Sequence, residues 1–312
     1  MKAWQYTADR VPIALHEVPE PLLEPGDVIV DVKACGICGT DLGFLSGTIS
    51  SQLAFSPITL GHEVVGVITA IGDQVDGFEK GDRVGVVAAV AGPGTSSNGG
   101  FQPRIAASSD LLVRLPDTVR WEQAAVSTCA GATAYHALMS RGRARPGDKV
   151  GIIGMGGVGA LGVQIAIDLG ATVYVAETDD RLFDYATELG VEAVSEDLRE
   201  FKDAGLNLIC DFAGYGSTTE AAIDVAAERG RIVQVGLGKS HGNINLFNLT
   251  LKQLELLGSV GGSVDDNAEV LRLMSEGKVS ARTTCIGFDE VGRAFGLLER
   301  GEALTRMVVV YD

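Results

Sequence analysis

The chain has 312 residues, 46% of them hydrophobic, with 25 basic and 41 acidic side chains and a net charge of −16. Its length leaves room for two cores, and its apolar content excludes a disordered chain. The acidic balance, with no basic run to offset it, speaks against nucleic acid and anionic membrane as partners.

The opening residues, Met-Lys-Ala-Trp-Gln-Tyr, hold no apolar leader. The most apolar window, Val84 to Ala91, runs into Gly92 and Pro93 and is too short to span a membrane. Five cysteines are an odd number and few for this length. That disfavours a disulfide framework and points to a reducing, cytoplasmic setting.

Up to about residue 120 the chain reads as mostly β. The segments Val11 to Val18, Val28 to Ala34, Val64 to Ile71, Arg83 to Val87 and Phe101 to Ala106 are β-rich. Turn signals at Pro25-Gly26-Asp27, Gly72-Asp73 and Lys80-Gly81-Asp82 separate them. Many short strands with no helices between them predict a barrel-like domain. Near Pro116 the character changes, and Trp121 to Val126 and Ala130 to Ser140 read as helices. Strands and helices then alternate. The strands are Val150 to Ile153, Thr172 to Ala176, Leu206 to Cys210, Arg231 to Val235 and Leu254 to Val260. The helices are Gly157 to Leu169, Arg181 to Leu189 and Ser217 to Ala227. Near-continuous apolar strands alternating with helices predict a doubly wound parallel sheet. Helices over Asp265 to Ser275 and Asp289 to Glu299 and a strand over Met307 to Tyr311 make a tail too small for its own core, so it is expected to rejoin the first domain. The stretch Ala91 to Gly100, rich in Gly and Ser, reads as a loose surface loop.

Gly154-x-Gly156-Gly157-x-Gly159 sits between a strand and a helix, as in the dinucleotide fingerprint. Glycines there permit a tight turn and close approach of backbone to a pyrophosphate, and the helix N-terminus offers free N–H groups. Glu177 ends the next strand, where its carboxylate would accept hydrogen bonds from a ribose and repel a 2′-phosphate, favouring NAD over NADP. Each feature alone has a plainer reading, as a glycine-rich helix start or a solvated carboxylate. Gly238-Lys239-Ser240 is no P-loop, because Val233 stands where the glycine belongs, and Gly66 stands where a zinc-protease helix begun by His62-Glu63 would place its second histidine.

Cys35, Cys38, Cys129 and His62 are suitable zinc ligands, although a free cysteine is more often a small buried hydrophobe and a lone histidine a core residue. In sequence order, Gly36-Ile37-Cys38-Gly39-Thr40-Asp41, Gly61-His62-Glu63-x-x-Gly66, Cys129-Ala130-Gly131-x-Thr133-x-Tyr135 and the glycine turn are similar to motifs of one family. The chain resembles the zinc-dependent alcohol dehydrogenases of the medium-chain dehydrogenase/reductase family over essentially its whole length. The resemblance implies a GroES-like catalytic domain (residues 1–130 and 263–312) and an NAD-binding Rossmann domain (131–262). It implies one catalytic zinc held by Cys38, His62 and Cys129, with Cys35 a bystander. Glu63 would lie close to the metal, Asp41 would hold the imidazole, and Thr40 would hydrogen-bond the substrate oxygen and pass on its proton. Gly154, Gly156, Gly157, Val158, Gly159, Glu177, Arg181 and Gly236 would bind NAD(H). The activity implied is hydride transfer between NAD(H) and an alcohol or carbonyl compound.

Two departures stand out. Many relatives carry a histidine two residues after the motif aspartate to end a proton relay; here the position is Gly43. His16, His136 and His241 have no feature that places them there and read as surface or packing residues. Relatives with a structural zinc carry four cysteines in a lobe matching residues 85–100, where this chain has none. The apolar stretch Phe44 to Phe55, with scattered hydroxyls and no fixed charge, suggests a neutral, fairly hydrophobic substrate, or simply core packing. The region Ile244 to Val260 implies a homodimer or homotetramer by the same resemblance. Two rival readings are an NAD(P)H-dependent reductase of an activated C=C or imine on this fold, and a catalytically silent nucleotide-binding sensor.

Overall fold

The computed structural model describes residues 1–88 and 91–311. The chain forms two compact units, Met1–Ala132 with Gly261–Asp312, and Thr133–Val260. No helix among the described residues is long and apolar enough to cross a membrane.

The first unit begins with β1 (Lys2–Tyr6), β2 (Ala14–Glu17), β3 (Asp27–Gly36), helix α1 (Gly39–Ser46), β4 (Ile58–Thr59), β5 (Glu63–Ile71), β6 (Arg83–Val86), β7 (Arg104–Ser108) and β8 (Leu112–Arg114). The helical run that follows is α2 (Trp121–Val126), a wide π-type turn Ser127–Gly131, α3 (Ala132–Tyr135) and a second wide turn His136–Arg141. The second unit holds β9 (Lys149–Ile153), α4 (Gly159–Asp168), β10 (Thr172–Ala176), α5 (Phe183–Glu188), β11 (Ala193–Ser195), β12 (Leu208–Asp211), α6 (Ser217–Val225), β13 (Arg231–Gln234), α7 (Leu246–Leu251) and β14 (Glu255–Gly258). The chain then returns to the first unit with α8 (Val264–Ser275), β15 (Thr283–Ile286), α9 (Val291–Glu299) and β16 (Arg306–Val310).

In the first unit a small sheet, β2-β1-β4, accompanies a seven-stranded one, β15-β16-β3-β5-β6-β8 with β7 beside β3. The expected barrel is corrected here, because among the described residues the strands form an open sheet, not a closed one. β3 organises it. Its C-terminal end pairs with β16 on one side and with β5 along the other, and its N-terminal half pairs with β7. Val28, Val30 and Val32 are buried among Phe44, Ile58, Ile68, Phe101 and Phe295, and such β-branched and aromatic side chains suit a pleated, covered surface. Phe101 meets Phe295 edge-on, with ring centroids 5.8 Å apart. The stretch Ala91 to Gly100 is not a loose surface loop, since Gly92 to Thr95, Gly99 and Gly100 are buried. Its backbone bonds to the segment before β5: Gly99 N–H to Thr59, Gly100 N–H to Gly61 and Phe101 N–H to Leu60. Ala89 and Val90, within the region matched to a zinc lobe, lie outside the described residues.

In the second unit all six strands are parallel, in the order β11-β10-β9-β12-β13-β14. That is the doubly wound order 3-2-1-4-5-6, whose direction reverses between β9 and β12. Sequence patterning marked five of these strands; β11 is three residues long and only half-buried, so it lacks an apolar run. It also left α1 unmarked, because Gly39 and Gly43 mask its helical character.

Candidate active site

The end of β3 and the start of β5 lie side by side in the register Gly36↔Glu63 and Cys35↔Val64. Cys38, just past β3, is the N-cap residue of α1, and His62 just precedes β5. Asp41 ties the two together. Its Oδ2 accepts the Cys38 backbone N–H at 3.0 Å, and its Oδ1 lies 3.2 Å from His62 Nδ1. One fully buried carboxylate thus starts the helix and orients the imidazole, turning Nε2 away from the contact. Cys129, from the wide turn after α2, completes the group. One donor atom each from Cys38, His62, Glu63 and Cys129 lie within 4.8 Å of one another.

Electrostatics within the cluster are strongly coupled. A hydrogen bond from Cys129, with help from Arg306 and His62, outweighs burial and holds the Cys38 thiol well below its ordinary range; the Cys129 thiol, as donor, is pushed well above it. Burial pulls the His62 imidazole down, but Asp41 and Cys38 together hold it well above its usual value. Burial also raises the Glu63 carboxyl to about 8, against the pull of Arg306. Glu63 Oε1 lies 3.0 Å from Arg306 Nη2, yet neither Glu63 oxygen has an aligned hydrogen-bond donor. Two sulfurs and an imidazole, with a buried carboxylate lacking an aligned hydrogen-bond donor in reach, form a donor set that fits zinc. Cys35 is outside this group. It is fully buried in the core, and burial pushes its thiol far up. Thr40 Oγ1 lies 3.6 Å from Cys38 Sγ, at the half-buried edge of the cluster.

In the second unit, Gly154 follows β9 with φ 92°, a left-handed conformation that favours glycine. A Cβ on Gly159 would collide with the Gly154 carbonyl oxygen, so the start of α4 can close on the turn only without a side chain. Gly156 and Gly157 are exposed, and a Cβ on Gly156 would meet no atom within 4 Å. Val158 is the N-cap residue of α4. Glu177 sits just past β10, where Oε2 accepts the Met155 N–H at 2.6 Å and Oε1 accepts the N–H groups of Thr178 and Asp179. Arg181 makes a two-pronged ion pair with Asp179, at 2.7 and 2.6 Å. Gly236, after β13, packs so tightly on Phe212 and Ala213 that a Cβ would collide with their backbone.

The family model described as an alcohol dehydrogenase GroES-like domain matches residues 24–117, and that of a zinc-binding dehydrogenase matches residues 157–276. An alcohol dehydrogenase of Geobacillus stearothermophilus is 31% identical over 100% of both chains. The chain belongs to the zinc-dependent alcohol dehydrogenases. A probable cinnamyl alcohol dehydrogenase of Picea abies is 32% identical over 91% of this chain and 88% of its own. The structure of an acetophenone reductase from Geotrichum candidum in complex with NAD is 27% identical and superposes with a TM-score of 0.90, covering 99% of this chain and 97% of that one. As a member of this family the protein is an oxidoreductase of alcohols and their carbonyl partners, with Zn2+ and NAD(H) as cofactors.

Against that family pattern, the relay position has a physical occupant. A Cβ on Gly43 would come 2.9 Å from Ile49 Cγ1, so the side chain of Ile49 takes up space that a larger residue would need. Phe44 is fully buried in the core, whereas Phe55 is exposed. Arg306 was not singled out from the sequence. Besides facing Glu63, it donates from Nη1 to the Ile37 carbonyl at 3.2 Å and brings positive charge to both cluster thiols. Its one signal was a lone basic residue opening an otherwise apolar, buried strand.

Proposed function

We propose that Cys38, His62 and Cys129 hold one catalytic zinc per chain, with Glu63 close behind it, and that the enzyme exchanges hydride between NAD(H) and a neutral, fairly hydrophobic alcohol or ketone. The observation that carries this is the convergence of two thiols, an imidazole and a carboxylate within 4.8 Å, on a scaffold that orients each of them. Bound there, zinc would supply Lewis-acid polarisation of the substrate oxygen and NAD(H) the hydride chemistry. Asp41 keeps the His62 ring turned towards the cluster. Thr40, beside the Cys38 sulfur, hydrogen-bonds the substrate oxygen and accepts its proton when an alcohol is oxidised. With Gly43 in the relay position, that proton leaves by water. The turn Gly154–Gly159 and the α4 N-terminus cradle the pyrophosphate, and Gly236 lets a neighbouring loop approach closely. Glu177 accepts the ribose hydroxyls, exchanging its bond to Met155, and its charge opposes a 2′-phosphate; Arg181, engaged with Asp179, leaves that opposition uncancelled. Residues 1–130 with 263–312 are the catalytic domain, and 131–262 the NAD-binding domain.

The substrate class is supported by relatives named for cinnamyl alcohol and acetophenone, both neutral and aromatic. Metal analysis of the purified protein tests the centre. It should give about one zinc per chain, and Cys38→Ser should lose it together with about a thousandfold or more of kcat/KM, the scale of Lewis-acid assistance. Zinc-free protein that turns over NADH undiminished would sink the reading.

The apolar side chains Leu246, Phe247, Leu251, Leu256 and Val260 are exposed around β14, the edge strand of its sheet. An uncovered edge with apolar neighbours favours a second copy of the chain there, giving a homodimer or a tetramer of dimers. Sedimentation velocity should show a dimer or larger species, dissociated by Val260→Asp; a monomer at micromolar concentration would contradict it. The five cysteines, all free, fit a cytoplasmic setting.

A further inference from the structure

In the turn Ser127–Gly131 that carries Cys129, helical hydrogen bonding opens to five-residue spacing, with the Ala132 N–H reaching back to the Ser127 carbonyl. A turn of this kind adds one residue to the helical register, offsetting the side chains before and after it by about 100°. The direction of Cys129 therefore depends on the turn staying wide.

One side chain from another element grips it. Asn267, in the first turn of α8, donates from Nδ2 to the Ser127 carbonyl at 2.7 Å and to Ser127 Oγ at 3.1 Å. Asn267 is fully buried, and its own Oδ1 has no hydrogen-bond partner. The helix that presents it is itself fixed. Ser263 Oγ accepts the Asp266 N–H at 3.0 Å, and Asp266 accepts the Ser263 N–H at 2.8 Å, a closed capping box. Missing side chains let α8 come this close. A Cβ on Gly131 would lie 2.8 Å from Val270 Cγ1, and one on Gly262 would lie 2.5 Å from the Ala132 carbonyl oxygen.

Stability alone is a poor reason for this asparagine, because a buried amide with an unmet acceptor costs free energy. Nor does Ser127 depend on it. Ser127 Oγ donates to the Ala124 carbonyl at 2.7 Å, and the Ser127 carbonyl accepts the Ala132 N–H. What Asn267 adds is a fixed point two residues ahead of Cys129. We propose that Asn267 is a positioning residue for the metal centre, holding the wide turn in the register that points Cys129 at Cys38 and His62. The inference rests on the reading of Cys129 as a zinc ligand.

Asn267→Leu keeps most of the volume and removes both donors and the unmet acceptor. Zinc release from the purified holoprotein to a chromogenic chelator should quicken about tenfold, the scale seen when groups that orient metal ligands are removed. The thermal midpoint of the zinc-stripped variant should match wild type, and the cobalt-substituted protein should show a shifted thiolate-to-cobalt band. Should leucine prevent folding, Asn267→Ala, read by zinc release and the cobalt spectrum and not by the midpoint, takes its place. Ile105→Val, a core change in β7, is the control, lowering the midpoint without quickening zinc release. Wild-type release and spectrum in both Asn267 variants would overturn the proposal. So would faster release that Ile105→Val reproduces at the same loss of stability. Cys129→Ser separates the two levels. If it retains zinc as firmly as wild type, the ligand assignment fails. If it loses zinc while the Asn267 variants do not, only the positioning role fails.

Discussion

The cluster around Cys38 and the glycine turn after β9 hold their groups by different means. The cluster gathers side chains from positions 38, 62, 63 and 129, and two of them are braced by other side chains: His62 by Asp41, and Glu63 by Arg306 facing it, in room left by Gly36. The turn lies within six consecutive residues and works through its backbone, with glycine making room. A metal centre needs fixed donor directions, which only buttressed side chains provide. A pyrophosphate needs N–H groups and open space, which a bare turn at a helix start provides. Damage should accordingly spread through the first site and stay local in the second.

Asp41→Ala should break the contrast most severely. It strips the buried His62 of its partner and the Cys38 N–H of its acceptor at once. Loss of one member of a buried charged pair costs about 3–5 kcal/mol. Urea unfolding should show a loss of that order, and chelator competition should show zinc binding weakened by about tenfold to a hundredfold. A variant that keeps both stability and zinc would show that the cluster is not cross-braced through Asp41.

In the turn, two neighbouring glycines should answer differently. Gly159→Ala forces a methyl group into the Gly154 carbonyl and should weaken NADH binding about a hundredfold, roughly 2.7 kcal/mol, with a lowered thermal midpoint. Gly156→Ala meets nothing in the protein, so its midpoint should stay at wild type while NADH binding weakens about tenfold. Fluorescence titration of NADH and a melting curve read both; equal behaviour of the two variants would mean that the open side of the turn faces no pyrophosphate. An effect no larger than that of Gly156→Ala is expected at Glu177→Ser. The ratio of kcat/KM for NADP to that for NAD should rise about tenfold as a like charge is removed from beside the 2′-phosphate. A native preference for NADP would contradict the role given to Glu177.

The same contrast explains what could be read from the chain alone. Gly154 to Gly159 is legible because spacing, strand and helix sit together, and the parallel sheet is legible because its inner strands are continuous apolar runs. The proposed metal cluster is legible only through the motifs of a known family, since nothing local to Cys129 or His62 distinguishes a ligand from a packed core residue. Three kinds of feature escaped. α1 was hidden by its glycines. The openness of the sheet among the described residues escaped because strand number does not determine closure. Arg306 and Asn267 act across more than a hundred residues, so only the pairing of β16 with β3 and of α8 with the wide turn reveals them. The stretch Ala91 to Gly100 misled for a related reason. Its glycines are not slack; at Gly94 and Gly99 they let one backbone lie against another.

The contact between Gly262 and Ala132 has a consequence at the level of the gene. The chain leaves the first unit at Ala132, travels through residues 133–260, and re-enters at Gly261, so the way out and the way back touch. The segment proposed to bind the nucleotide is therefore a cassette whose two ends meet at one point of its host. Another cassette with a different cofactor preference could be spliced in at that seam, provided its own ends lie as close. Cys129 and Asn267 stay with the host, so such an exchange would carry the dinucleotide specificity proposed for the cassette across and leave the proposed support of the metal centre behind, unchanged.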